Sequence, residues 1–147
     1  MIQLVYASKS EVPQGKALLE LRSILTASQA RNSQQKVTGY LIADGRSFFQ
    51  VLEGEPVDVR ATFERIRSDP RHSSVQMLST KVIFIREFAA WSMGGWLCTP
   101  ETLDIFIRHG FDERCPKSNI TASMVLGLAG ELRDFEHATA QGLRRAS

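Results

Sequence analysis

Two apolar runs of strand-forming residues, Val37–Ala43 and Phe48–Leu52, are separated by a turn containing Asp44-Gly45, and this pattern constrains the fold more than any other. Asp-Gly between such runs favours a tight antiparallel hairpin, because both residues tolerate the positive φ that hairpin turns need. The second strand of that hairpin, Arg46–Gly54, places Phe48, Gln50 and Leu52 on one face and Phe49 and Val51 on the other. Both faces are apolar except at Gln50. An unpaired carboxamide in a core costs about 1–3 kcal/mol, so Gln50 requires a partner. An amide offers two donors and an acceptor, and it exchanges them by flipping.

The rest of the chain frames this hairpin. Ile2–Ala7 reads as a first strand with Leu4 and Tyr6 on one face, Tyr6 inward and in need of a partner for its hydroxyl. After a loop over Ser8–Gln14 broken by Pro13, a helix is predicted from Gln14 to Asn32. Its inward arc holds Leu18, Leu21, Ile24, Leu25, Ser28 and Asn32, so hydrogen-bonding groups enter an otherwise apolar stripe. Pro56 opens a second helix with Val59, Phe63 and Ile66 buried, and Pro70 ends it at Asp69. A strand over Val75–Arg86, a turn over Glu87–Ala90 and a short last strand, Trp91-Ser92-Met93, complete the order β-α-β-β-α-β-β.

That order predicts an α+β, ferredoxin-like mixed sheet with both helices on one face. Right-handed crossovers bring the first and third strands together in the middle, which makes Tyr6 and Gln50 neighbours. Beyond Pro100, a short helix ending at Gly110 and a longer one over Met124–Ala140 need an apolar surface. The vacant sheet face, towards which Phe49 and Val51 point, supplies it. Residues 1–97 are thus expected to form the core and 98–147 a helical extension packed on the sheet.

A chain of 147 residues with 43% hydrophobic content suits one domain with a real core. The net charge of +2 is small and the basic residues are scattered, which argues against a nucleic-acid partner. Cys98 and Cys115 form neither a metal-like spacing nor a disulfide framework, which fits a reducing cytoplasm. No signal segment opens the chain, and no apolar run approaches the roughly 18 residues of a membrane span. The histidines at 72, 109 and 137 have no ligand spacing, so no metal is expected. Phosphate-binding loops and nucleophile elbows are absent, and an enzyme is not indicated. A polar pocket between two helices and a sheet suits a small molecule instead.

Five segments carry a resemblance to a known family: Leu4-Val5-Tyr6-Ala7-Ser8, Ala30-Arg31-Asn32 with Val37-Thr38-Gly39, Phe48–Gly54, Asp69-Pro70-Arg71-His72, and Arg86–Met93. In order and spacing they resemble the BLUF family of flavin-binding blue-light sensors, over roughly residues 2–95. The resemblance implies a short stand-alone photoreceptor with a flavin ring between the two helices. Its usual cofactor is FAD, with FMN or riboflavin as alternatives. Tyr6 and Gln50 would be the photochemical pair, Gln50 bonding the flavin edge and the tyrosine hydroxyl. Asn32 would bond the ring's carbonyl side, while Ile24 and Ile66 would sandwich the ring. Ser28 and Phe48 would line the same pocket.

The resemblance further implies that Arg71 and His72, after Asp69, face the ribityl chain and phosphates, with Arg65 as a second cation. Many members carry Asn or His where this chain has Arg31, whose cation would reach the flavin, its phosphates or the surface. Trp91 and Met93 would carry the signal from the pocket, through the far sheet face and the C-terminal helices, to a separate protein partner. A homo-oligomer is expected. Two other readings remain: a ferredoxin-like regulatory domain that binds another small ligand without photochemistry, and an acylphosphatase-like enzyme. The second would need a glycine-rich loop after the first strand, and Ser8–Gln14 contains no glycine.

Overall fold

The computed structural model describes residues 1–89, 94–112 and 119–146, with side chains for all of these except Gln14, residues 32–35 and residues 139–146. The hairpin forms as its turn chemistry requires. Asp44 Oδ1 accepts hydrogen bonds from the amides of Arg46 (2.8 Å) and Ser47 (2.7 Å), and Gly45 adopts φ 89°. This turn joins β2 (Thr38–Ala43) to β3 (Ser47–Gly54), with Ala43 opposite Phe48 and Thr38 opposite Glu53.

The remaining elements are β1 (Ile2–Ser10), a 3-10 turn (Gln14–Lys16), α1 (Ala17–Gln35), α2 (Pro56–Arg67), β4 (His72–Val82), β5 (Gly94–Leu97), α3 (Leu103–Arg108) and α4 (Ala122–Ala146). The sheet runs β4-β1-β3-β2-β5. β1 is antiparallel to both β3 and β4, and β2 is antiparallel to β3 and parallel to β5. Each helical crossover, through α1 or α2, therefore skips one strand. This is the ferredoxin-like α+β arrangement, and it puts β1 and β3 side by side.

Strand alternation divides the core into two layers. Leu4, Tyr6, Leu41, Phe48 and Leu52 face α1 and α2, where they meet Leu21, Val59 and Phe63. Val5, Tyr40, Ile42, Phe49 and Val51 face the other way and are covered by Phe88, Phe106 of α3, and Val125, Leu128 and Leu132 of α4. Full burial of one such side chain is worth about 1.5–3 kcal/mol, so both helical layers are held chiefly by apolar contact.

Several boundaries differ from the sequence-based expectations. β1 continues to Ser10, and β4 starts at His72 and ends at Val82, because the two strands pair from Ser10–His72 to Ile2–Val82. The length of β1 thus sets that of β4, and Arg86 falls in the loop after it. The first helix begins at Ala17 because Lys16 closes a 3-10 turn onto the Pro13 carbonyl at 2.9 Å. Leu18, expected in the inward arc, is 47% exposed at the helix entrance. The described last strand is Gly94–Leu97, pairing with Tyr40–Ala43; the strand expected at residues 91–93 lies outside the described residues. The last helix extends from Ala122 to Ala146, beyond both ends of the expected segment. No helix among the described residues is long and apolar enough to cross a membrane.

Gly39 marks the tightest approach in the sheet: a Cβ there would lie 1.9 Å from the Val51 carbonyl oxygen. Because the obstacle is backbone, it cannot rotate away. Gly39→Ala is expected to destabilise the fold by more than the about 1–3 kcal/mol usual for overpacking, measured as a lowered midpoint in urea unfolding.

Candidate functional site

The register of β1 against β3 builds the site. Tyr6 and Gln50 are Cα partners, so alternation places both side chains on the helix-covered face. Each is 2% exposed, and the Tyr6 hydroxyl donates to Gln50 Oε1 at 2.5 Å. The two polar groups that the core could not leave unpaired therefore answer one another. Burial pushes the Tyr6 phenol well above its ordinary value, and the nearby Asp69 carboxylate adds to the effect. The tyrosine keeps its proton, aimed at the amide oxygen. With the oxygen end so engaged, the Nε2 end of Gln50 is the donor end of the amide.

A cavity lies over this pair, between α1 and α2, with about 490 Å³ of empty space including its mouth. From α1, Ile24, Ala27, Ser28 and Arg31 line it, a set at helical spacing of three and four residues. From α2 come Thr62, Arg65 and Ile66, and Gln50 forms part of the floor. A deeper compartment adds Tyr6, Leu41, Phe48 and His72. Two isoleucines on opposing helices, a buried amide below and cations at the rim match a planar, partly polar ring system with an anionic tail. The donor set fits a flavin.

The predicted site residues thus converge, with particular differences. Phe48 lies in the deeper compartment and meets the His72 ring edge-on at 6.0 Å. His72 uses both ring nitrogens within the protein: Nδ1 is 2.9 Å from Ser8 Oγ, and Nε2 bonds the Ile66 carbonyl, which can only accept. It therefore ties the end of α2 to β1 beside Tyr6, with the rings 6.1 Å apart. Arg65 Nη2 donates to Thr62 Oγ1 at 3.2 Å. Asn32 lies on α1, but its side chain is outside the described residues, as are Trp91 and Met93 entirely. Ala27, Thr62 and Leu41 were not anticipated. Helical spacing from Ile24 and Ile66 pointed to the first two. Among the described residues, no group of His, Cys, Asp and Glu has the geometry to hold a metal ion.

Asp69 and Arg71 close the rim. Arg71 Nε lies 3.0 Å from each Asp69 oxygen, Nη2 is 2.5 Å from Oδ2, and the Arg71 amide bonds Oδ1 at 2.9 Å. Glu20 of α1 is 3.8 Å from Arg71 Nη1, so the guanidinium links α1 to the turn that follows α2. Partial burial alone would raise the Asp69 carboxyl, but the hydrogen bonds from Arg71 outweigh it and hold Asp69 below the usual carboxylate range. Folding thus favours ionised Asp69. Its stabilising contribution is complete above the unfolded carboxylate value of about 3.9 and is lost as pH falls through the lower folded value. Asp69→Asn should be less stable than the parent at neutral pH, and that difference should vanish towards acid, as followed by urea unfolding across pH.

The chain is 27% identical over 118 residues to the blue light- and temperature-regulated antirepressor BluF of Escherichia coli (strain K12), covering 80% of this chain and 29% of that protein. The chain therefore spans less than a third of that relative. The structure of BlsA in its photo-activated state superposes with a TM-score of 0.75 at 30% identity, covering 89% of this chain and 93% of that one. The dark-state structure of BlrB, a BLUF protein, gives a TM-score of 0.67 at 26% identity, covering 76% and 85%. Over residues 1–94 the sequence matches the family described as sensors of blue light using FAD. The chain belongs to the BLUF family of flavin-based blue-light sensors.

Proposed function

We propose that this chain is a cytoplasmic blue-light photoreceptor in which Tyr6 and Gln50 form the photochemical pair beside a non-covalently held FAD. The observation that carries this reading is the 2.5 Å hydrogen bond between two buried side chains at the floor of the interhelical cavity. Ile24 and Ile66 hold the ring from its two sides. Gln50 Nε2, Ser28 and Asn32 serve its polar edge, and Phe48 and His72 shape the inner wall. Arg31, Arg65 and Arg71 face the phosphate-bearing side, with Asp69 fixing the orientation of Arg71. Cations on this side suit a phosphate-bearing flavin rather than riboflavin, and FAD is the flavin in the description of the matched family.

The flavin supplies absorption of blue light and an acceptor for one electron and one proton. Tyr6 gives up an electron, and its hydroxyl proton leaves through the Gln50 amide, already hydrogen-bonded to it. Once both have returned to Tyr6, the Gln50 amide is left rotated or tautomerised. An amide has two unlike ends, so one pocket admits two bonding patterns that can bias a two-state element. Trp91 and Met93 read the change, and residues 98–147 extend the sensor core of residues 1–97 towards a separate protein partner.

Purified protein should be yellow, and blue light should shift its flavin absorption slightly to the red, reversibly in the dark. Tyr6→Phe and Gln50→Leu should each abolish that shift with flavin still bound; a normal shift in either overturns the mechanism. Protein that stays colourless with added flavin would point to a different small ligand. Extraction and chromatography of the bound flavin distinguishes FAD from FMN and riboflavin.

A further inference from the structure

On the sheet face opposite the cavity, β1 and β3 carry a second cross-strand pair. Gln3 and Glu53 are Cα partners, as Tyr6 and Gln50 are, and Gln3 Nε2 donates to Glu53 Oε2 at 2.9 Å. The Glu53 carboxylate, 0% exposed, also accepts the amides of Glu87 (3.2 Å) and Phe88 (2.8 Å) from the loop after β4. Beside it, Arg86 Nη1 donates to Thr38 Oγ1 at 3.0 Å.

The same loop is gripped from α4. Arg133 Nη1 donates to the Glu87 carbonyl at 2.8 Å, and its guanidinium carbon stands 5.3 Å from the centre of the Phe88 ring. The carbonyl of Glu87 and the N–H of Phe88 belong to one peptide unit. That unit is therefore suspended between a carboxylate on β3 and a guanidinium on α4. Both bonds are charge-assisted and polarise the peptide in the same sense, so each strengthens the other. Phe88 is wholly buried, 5.8 Å from the Tyr40 ring, and the Tyr40 hydroxyl donates to Glu136 of α4 at 2.7 Å. Arg133 and Glu136, one helical turn apart, present these two contacts on one side of α4.

We propose that Arg133 is a positioning residue through which α4 responds to the pocket, by way of the Glu87–Phe88 peptide held on Glu53. The inference rests on the photoreceptor reading above and deepens it. Glu53 lies on the same strand as Gln50, buried from Phe48 to Gly54, and Gln3 on the same strand as Tyr6. A displacement of that strand pair moves the carboxylate, the peptide turns with it, and the carbonyl offered to Arg133 is redirected. The buried face of α4, with Val125, Leu128 and Leu132, keeps the helix on the sheet in either case. What changes is how firmly its second half is latched. Coupling of this kind requires an element with two arrangements, which the test examines directly.

The experiment uses the flavin-loaded full chain and reads two signals, the light-induced red shift and the light-minus-dark amide exchange of residues 122–138. The parent should show the red shift together with several-fold faster exchange in α4 under light. Arg133→Gln should keep the red shift but lose the light–dark difference, its α4 exchanging in the dark as the parent does in light. Arg133→Lys, which retains a charged donor for the carbonyl, should restore part of the difference. A full light–dark difference in Arg133→Gln overturns the proposal, as does parent protein with a red shift and unchanged α4 exchange. A parent without any red shift instead overturns the photoreceptor reading on which the proposal rests.

Discussion

The hydrogen bond from Tyr6 to Gln50 depends on the register of two antiparallel strands, and the functional architecture is organised around that register. A shift of one residue between β1 and β3 would turn one of the two side chains to the opposite sheet face. It would also part Gln3 from Glu53. Pocket chemistry and the anchoring of the loop after β4 are thus secured by one ladder of strand pairing. The ladder is itself held by apolar residues alternating on both faces, so neither polar pair has to supply the stability that keeps it in place.

The sheet separates two kinds of surface. On one side, α1 and α2 stand apart enough to leave a cavity, with Ile24 and Ile66 on its walls and cations at its rim. On the other, α4 lies close, and contacts from Arg133 and Glu136 reach the loop and β2. A sensor needs both properties. The ligand side must admit a group the chain does not encode, while the opposite side must be packed tightly enough to transmit a small displacement. Cores are close-packed and respond to shifts well below an ångström, which makes a rigid strand pair a suitable connection between the two.

Much of the cavity lining was legible in sequence because it obeys simple periods. Alternation on the hairpin isolated Gln50, and the same rule put Tyr6 on its face. Helical spacing selected Ile24 and Ser28, and it also contained Ala27 and Thr62, small residues whose importance lies in the space they leave open. Other features depended on partners distant in sequence. His72 looked like a cation for phosphates, but its nitrogens meet Ser8 and the Ile66 carbonyl, a connection that exists only once β4 lies beside β1. The extent of β4 was hidden for the same reason, since pairing with β1 rather than composition decides where it begins and ends.

By itself, the sequence determined the kinds of element, their order, the two faces of the sheet and the residues that had to be near one another. Those follow from local rules: turn geometry at Asp44-Gly45, strand alternation, helical periodicity and the cost of an unpaired buried amide. Only the tertiary structure decided which atoms meet. Gln50 presents its oxygen to Tyr6, Arg71 bonds Asp69 at the cavity rim, and the Glu87–Phe88 peptide hangs between Glu53 and Arg133. The physical reason is range. Hydrogen bonds and ion pairs are set within about 3 Å, between groups that the chain brings together only by packing its elements.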